Sequence, residues 1–221
     1  IETAFDVGAV AREVELFGAV PTQLNAAMSE GRIDAGAISA AHFLAHRDRF
    51  APLADLCIAA DGPVRTVLFV SPKPPALLGE STVMLTSHSA SGRALLAALL
   101  SGFRDVRVRY EVVDDALAAA RAGHPTLVIG DDALVARAEL PPAQIHDLGE
   151  AWRAWTGLPF VFAIWAVRRE VLAEQPLQVA ALTDALVAAR EWGEAHREAV
   201  IDAAVAQRPY HRGLYQDLSL I

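Results

Sequence analysis

The chain has 221 residues, enough for one large domain or two modest ones. Its formal net charge is −8, Lys73 is the only lysine, and no basic stripe is interleaved with aromatics, which argues against a nucleic-acid partner. Just over half of the residues are apolar (53%), yet the longest apolar run, residues 158–167, falls well short of the ~20 a membrane span needs, so no membrane partner is expected. Net acidity does not bar a small anionic ligand, because a cleft has its own local field. Cys57, the single cysteine, permits no intramolecular disulfide, and its neighbours Leu56 and Ile58 predict a buried, inert thiol.

Strand and helix signals alternate along the chain, the pattern of an α/β fold. Residues 13–20 predict a strand. Thr22 is the expected N-cap of a helix over residues 23–29, which Gly31 stops. Residues 34–39 predict a short buried parallel strand and residues 40–46 a short helix. Residues 56–60 and 64–70 predict two strands about a turn at Asp61-Gly62-Pro63, and the proline-rich stretch 71–75 a stiff first crossing between lobes. A second unit follows: strand 81–86, helix 89–101, strand 106–113, a helix over 114–122 with Gly123 as its C-cap, and buried strand 126–129. Residues 158–167 predict the return crossing strand, and residues 177–206 one or two helices with Leu182, Leu186, Ala189, Gly193, His196 and Val200 on one face. The expected organisation is a first lobe from residues 1–74 and 158–221, a second from residues 75–157, and a ligand cleft between them.

The segment Thr86-Ser87-His88-Ser89-Ala90-Ser91 carries the clearest chemistry. It follows a strand and opens a helix, where backbone N–H groups lack intrahelical partners and the dipole favours an anion. Hydroxyls of Ser87, Ser89 and Ser91 would add donors for a carboxylate or phosphate; ordinary N-capping accounts for one serine, not three. Gly130-Asp131-Asp132 leaves the end of a predicted strand, where open α/β sheets bind ligands, although Asp as a helix cap is a strong competing explanation. Ser39 ends another strand and is equally a cap or a cleft residue. His42 lacks companions at metal-ligand spacing. Arg65 is a candidate carboxylate clamp, with a structural ion pair the commoner use of such a residue. Trp152, Trp155, Phe160, Phe162 and Trp165 are mostly core, with one or two available to wall a cleft. No P-loop, dinucleotide fingerprint or Ser-His-Asp order is present.

Several stretches carry a family resemblance: Asp61-Gly62-Pro63-Val64-Arg65, Ile129-Gly130-Asp131, Asp147-Leu148-Gly149-Glu150-Ala151-Trp152 and Trp155-Thr156-Gly157-Leu158-Pro159-Phe160-Val161-Phe162-Ala163-Ile164-Trp165. Together with residues 21–39 and 87–91 they resemble the chorismate dehydratase family of the futalosine route to menaquinone. The resemblance implies a two-lobed type II periplasmic-binding-protein-like α/β fold with mixed sheets and an inter-lobe cleft. It implies a cytoplasmic hydro-lyase that takes water from chorismate to give 3-[(1-carboxyvinyl)oxy]benzoate, with no metal or organic cofactor. Ser89 matches the family's reactive-site serine. Ser39, Ser87, Ala90, Ser91, Gly130, Asp131 and Thr156 are the implied substrate-binding set. His42 stands where the family usually has glutamate, and Gly92 where it usually has serine. The family's opening strand and Tyr-Leu-Asn motif are not in this chain; Ile1 is not a methionine, and the first strand of the first lobe is expected upstream of it. A non-catalytic solute-binding protein for a small anion and the related 1,4-dihydroxy-6-naphthoate synthase are the competing readings.

Overall fold

The structure, a computed structural model, describes residues 1–11 and 14–207. In chain order its elements are α1 (Glu2–Asp6), α2 (Pro21–Ser29), β1 (Ala35–Ser39), α3 (Ala40–Ala45), β2 (Phe50–Ala60), β3 (Val67–Val70), β4 (Thr82–Thr86), α4 (Ala90–Ala97), β5 (Arg109–Val113), α5 (Ala116–Arg121), β6 (Thr126–Ile129), α6 (Gly130–Glu139), β7 (Ile145–Asp147), α7 (Leu148–Thr156), β8 (Phe160–Arg168), α8 (Arg169–Glu174), α9 (Pro176–Ala195) and α10 (Arg197–Gln207). Among the described residues no helix is long and apolar enough to cross a membrane.

The strands form two sheets, one ordered β1-β8-β2 and the other β5-β4-β6-β3-β7. In the first sheet β8 runs antiparallel to both neighbours, pairing Ser39 with Ala163 and Ala60 with Phe160. The ends of β1 and β2 therefore lie along one edge with the start of β8. In the second sheet β4 is parallel to β5 and β6, and β3 is antiparallel to β6 and β7. Four strands, β4, β5, β6 and β7, thus point the same way, and the helices α4, α5, α6 and α7 all begin at their C-terminal edge. Parallel strands followed directly by helices gather helix N-termini on one rim, where such sheets bind ligands.

One core lies beneath α4 and α7, built from Val67, Phe69, Val83, Leu85, Leu95, Leu96, Leu99, Leu100 and Leu148. The opposite face of that sheet packs on α5 and α6 through Leu68, Val70, Leu117, Val128, Ala133 and Ala136. The first sheet has its own core, in which Leu53, Leu56, Val167, Leu186 and Ala189 join α9 to β2 and β8. β8 serves both sides: Phe162 is buried with the second sheet's core and Val167 with the first. β8 thus links the two cores.

Several expectations require correction. Residues 15–20 form no strand, and Leu16 among them packs on the first sheet's core, so the apolar signal there marks an anchor rather than a strand. Glu13 lies outside the described residues. α2 starts at Pro21 with Val20 as N-cap, because proline loses nothing at a first helical position, and Thr22 falls inside the helix. β1 is buried but antiparallel to its neighbour. β2 extends back to Phe50, and β2 and β3 belong to different sheets rather than to one hairpin. The chain changes sheets across residues 61–66, before the proline-rich stretch. The predicted helix 89–101 is α4 continued by a π-helical stretch, Ala98–Phe103. Cys57 is exposed, because Leu56 takes the inward position and its strand neighbour must point away. The last helices break at His196, beyond which Val200 belongs to α10.

Candidate functional site

Two helix N-termini meet where the sheets approach each other. β1 ends at Ser39, which caps α3 by accepting the His42 amide at 3.3 Å. Ser39 is almost fully buried and is doubly tied to Asn25 of α2: Asn25 Nδ2 donates to Ser39 Oγ, and the Ser39 amide donates to Asn25 Oδ1, both at 2.9 Å. Opposite, β4 ends in Thr86, whose hydroxyl accepts the His88 amide, and Ser89 caps α4 by accepting the Gly92 amide at 3.0 Å. The two edges touch directly, since the Ala41 amide of α3 donates to Ser91 Oγ of α4 at 3.1 Å. Ser91 is buried, at 4% exposure.

The hydrogen-bond roles in this cluster run one way. Ser39 Oγ accepts two N–H groups, Ser89 Oγ one and Ser91 Oγ one. Among the described residues none of these three hydroxyls donates to a protein acceptor. A hydroxyl that spends its lone pairs on amides keeps its proton to give. The amides of Ala90 and Ser91, the first two of α4, also have no acceptor among the described residues, as helix geometry requires. Three O–H and two N–H donors near one another, with the helix dipole behind two of them, make an environment for an anion.

The other predicted residues divide. Ser87 and Ala90 lie on the same β4–α4 turn. Gly130 opens α6 at a φ of +60°, which lets the chain turn from β6 straight into helix while its amide donates to the Thr66 carbonyl. Asp131 and Asp132 sit in the first turn of α6, where they suit the dipole, and the N-cap position is held by Ile129. Partial burial and then Asp115 push the Asp132 carboxyl above its ordinary pKa, while His88 and Arg121 pull it back. α6 and α4 begin at the ends of neighbouring parallel strands, so His88 and Asp132 flank the serine turn.

Thr156 stands apart. It ends α7, about 12 Å along the helix from Leu148. Its hydroxyl donates to the Trp152 carbonyl and accepts the Leu158 amide, a helix-ending role. Trp155 beside it stacks on Phe103, at the far end of the α4 continuation from Ser89. The predicted aromatic group forms a chain of edge contacts, Trp155 to Trp152 to Phe160 to Phe162, and Trp165 packs on the first sheet's core.

Arg65 is held by its backbone, with φ at +66° and its amide donating to Asp147. Its side chain lines an open cavity of about 440 Å³ with Arg137 and Glu150. His42 lies 2.9 Å from Ser29 Oγ by its Nε2 and 4.3 Å, ring to ring, from His46. Burial, then His46 and Arg49, push its imidazole below the ordinary value. Among the described residues no three His, Cys, Asp or Glu side chains gather to hold a metal ion.

Two residues of structural weight had signals that sequence reasoning passed over. Asn25 sits inside a helix, where asparagine is a poor choice unless its amide has a specific job. Asp147 precedes a helical run, the position of an N-cap. Its carboxylate accepts four backbone amides, those of Val64, Arg65, Gly149 and Glu150, at 2.6–3.1 Å. Gly149 is glycine because a Cβ there would stand 2.5 Å from the Gly62 carbonyl oxygen. The first resemblance-bearing stretch is thus clasped onto the third.

Two sheets joined by crossing segments, with donor-rich helix N-termini meeting between them, define a two-lobed α/β protein of the periplasmic-binding-protein fold. Solved structures agree. The chain superposes on a protein from Archaeoglobus fulgidus with a TM-score of 0.67 at 19% identity, covering 96% of this chain and 79% of that one. It superposes on the periplasmic aliphatic sulphonate binding protein of Escherichia coli with a TM-score of 0.63 at 18% identity, covering 90% and 70%. A family model described as menaquinone biosynthesis matches residues 3–217, and the chain belongs to that family. It is also 34% identical over 214 residues to the chorismate dehydratase of Thermus thermophilus, covering 90% of this chain and 76% of that protein.

Proposed function

We propose that this protein is a chorismate dehydratase acting in menaquinone biosynthesis, a hydro-lyase that converts chorismate to 3-[(1-carboxyvinyl)oxy]benzoate. The observation that carries the reading is the one-way polarity of the serine cluster: hydroxyls that accept from amides and keep their protons, beside two unspent amides at the start of α4. Chorismate brings two carboxylates, the acceptors such a site lacks.

The amides of Ala90 and Ser91 hold one carboxylate, and Ser89 donates its hydroxyl proton to the substrate. Ser39 supplies a donor from the first lobe, and Ser87, Gly130 and Asp131 border the cleft. Thr156 serves the return segment. In the reaction the C–H electron pair of the ring carbon bearing the enolpyruvyl ether becomes the new ring π bond. The neighbouring C–O bond breaks, and the proton taken from carbon leaves on that oxygen as water. Aromatisation makes the step downhill, so the protein's work is positioning and stabilising the charge that builds on the conjugated carboxylate. The substrate's enolpyruvyl carboxylate is the proton carrier in this scheme. We assign the reaction to the cytoplasm, and the two lobes to the segments on either side of the crossings at residues 61–66 and 157–159.

Incubation with chorismate tests this. An aromatic product lighter than chorismate by one water is expected, with turnover slowed about 10–100-fold in Ser89→Ala. Binding of chorismate without turnover would support the solute-binding reading instead, and neither binding nor turnover by the folded protein would overturn both.

A further inference from the structure

We propose that β5 pairs with β5 of a second copy of this chain, antiparallel about a two-fold axis at Tyr110. β5 is the outermost strand of its sheet, and among the described residues β4 alone pairs with it. Residues 109–112 are exposed, including Tyr110 at 42% and Val112 at 53%. Natural edge strands are commonly blunted by shortness, charged side chains, proline or a bulge; β5 is short and carries Arg109 and Glu111, charges of opposite sign that a second copy can pair. Residues 106–113 contain no proline, and the pairing with β4 shows no register shift.

The free edge specifies its own partner. The Arg109 amide donates to the Ser81 carbonyl, so Arg109, Glu111 and Val113 direct their backbone groups toward β4. Tyr110 and Val112 direct theirs outward. In an antiparallel two-fold pairing, outward residues must oppose outward residues, which leaves few registers. An axis at Glu111 sets Glu111 against itself; an axis at Arg109 sets Arg109 against itself and pairs Glu111 only with Arg107, outside the strand. An axis at Val112 sets no opposite charges of β5 together; Arg109 would meet only Asp115, which lies beyond the strand as the cap of α5. An axis at Tyr110 places Arg109 opposite Glu111 twice, at the positions not hydrogen-bonded to the partner, where side chains approach most closely. It also places Tyr110 on Tyr110 and Val108 on Val112.

The faces agree with this register. Val113 packs toward the α5–α6 side and Val108 toward the α4 side. By alternation, both ion pairs form on one face and the exposed apolar residues meet on the other. A strand pair of this length buries less than the ~800 Å² per partner of a standard interface, so the dimer is weak and dissociates on dilution.

Light scattering or sedimentation from low to high micromolar concentration tests the proposal. The mass should rise from one chain toward two. Glu111→Arg, which sets arginine against arginine twice, should weaken association about tenfold or more, and Arg109→Glu combined with Glu111→Arg should restore it. A single chain at every concentration, a dimer indifferent to Glu111→Arg, or a double variant as weak as the single one would overturn it. Hydrogen exchange on the unaltered protein gives an answer free of folding defects in the variants. The Tyr110 and Val112 amides should gain protection with concentration while the Arg109 amide stays protected throughout. Concentration-independent exchange at Tyr110 and Val112 overturns the proposal.

Discussion

Of the four helix N-termini on the second sheet's rim, those of α4 and α7 are finished in opposite ways. α7 is capped by Asp147, whose carboxylate takes four backbone amides, so the negative charge its dipole favours is part of the chain. α4 is capped by Ser89, a neutral group that takes one amide and leaves those of Ala90 and Ser91 unspent. The first arrangement is complete without a ligand, and in the proposed function the second is completed by a carboxylate of the substrate. The difference between a structural and a functional helix start thus lies in whether the cap carries charge.

The comparison breaks most visibly at α7. Asp147→Ala strands four amides, two of them on the segment that crosses between sheets, and should cost about 3 kcal/mol or more in a denaturant titration. If it costs no more than an ordinary surface substitution, the clasp is not structural. Gly149→Ala drives a methyl against the Gly62 carbonyl and should cost about 1–3 kcal/mol by the same measurement. At α4 the balance inverts. Ser89→Ala should cost only about 1 kcal/mol of stability but slow chorismate turnover about 10–100-fold. Gly92→Ala should act similarly and more mildly, because its Cβ would stand 2.6 Å from Ser89 Oγ and push that hydroxyl aside.

The smallest expected effect concerns α3. The folded protein holds His42 below its ordinary pKa of 6.5, chiefly by burial. A depressed pKa favours the neutral ring in the folded state, so this contribution to stability is full above pH 6.5 and is lost as pH falls through the lower, folded value. Unfolding titrations from pH 7 to pH 5 should show a modest decline that shrinks in His42→Gln.

Much of this was legible from residue patterns. The serine turn is readable because three hydroxyls in five positions exceed what capping needs, and β6 into Gly130 is readable because glycine after a buried strand marks a turn. Asp147 and Asn25 were harder to see, since each acts on a segment far along the chain: Val64 lies 83 residues from Asp147, and Ser39 lies 14 from Asn25. Thr156 lies apart from the serine turn. It sits within a long resemblance-bearing stretch, but its hydroxyl is absorbed by its own helix end.

Ser89→Asp tests the central claim most directly, because it finishes α4 as α7 is finished. Measured side by side, thermal stability and conversion of chorismate should part company: the variant should unfold at the same temperature as the parent or higher, yet neither bind nor dehydrate chorismate, its site being filled by its own carboxylate. A stable Ser89→Asp protein that turns chorismate over at the parent rate would contradict the account.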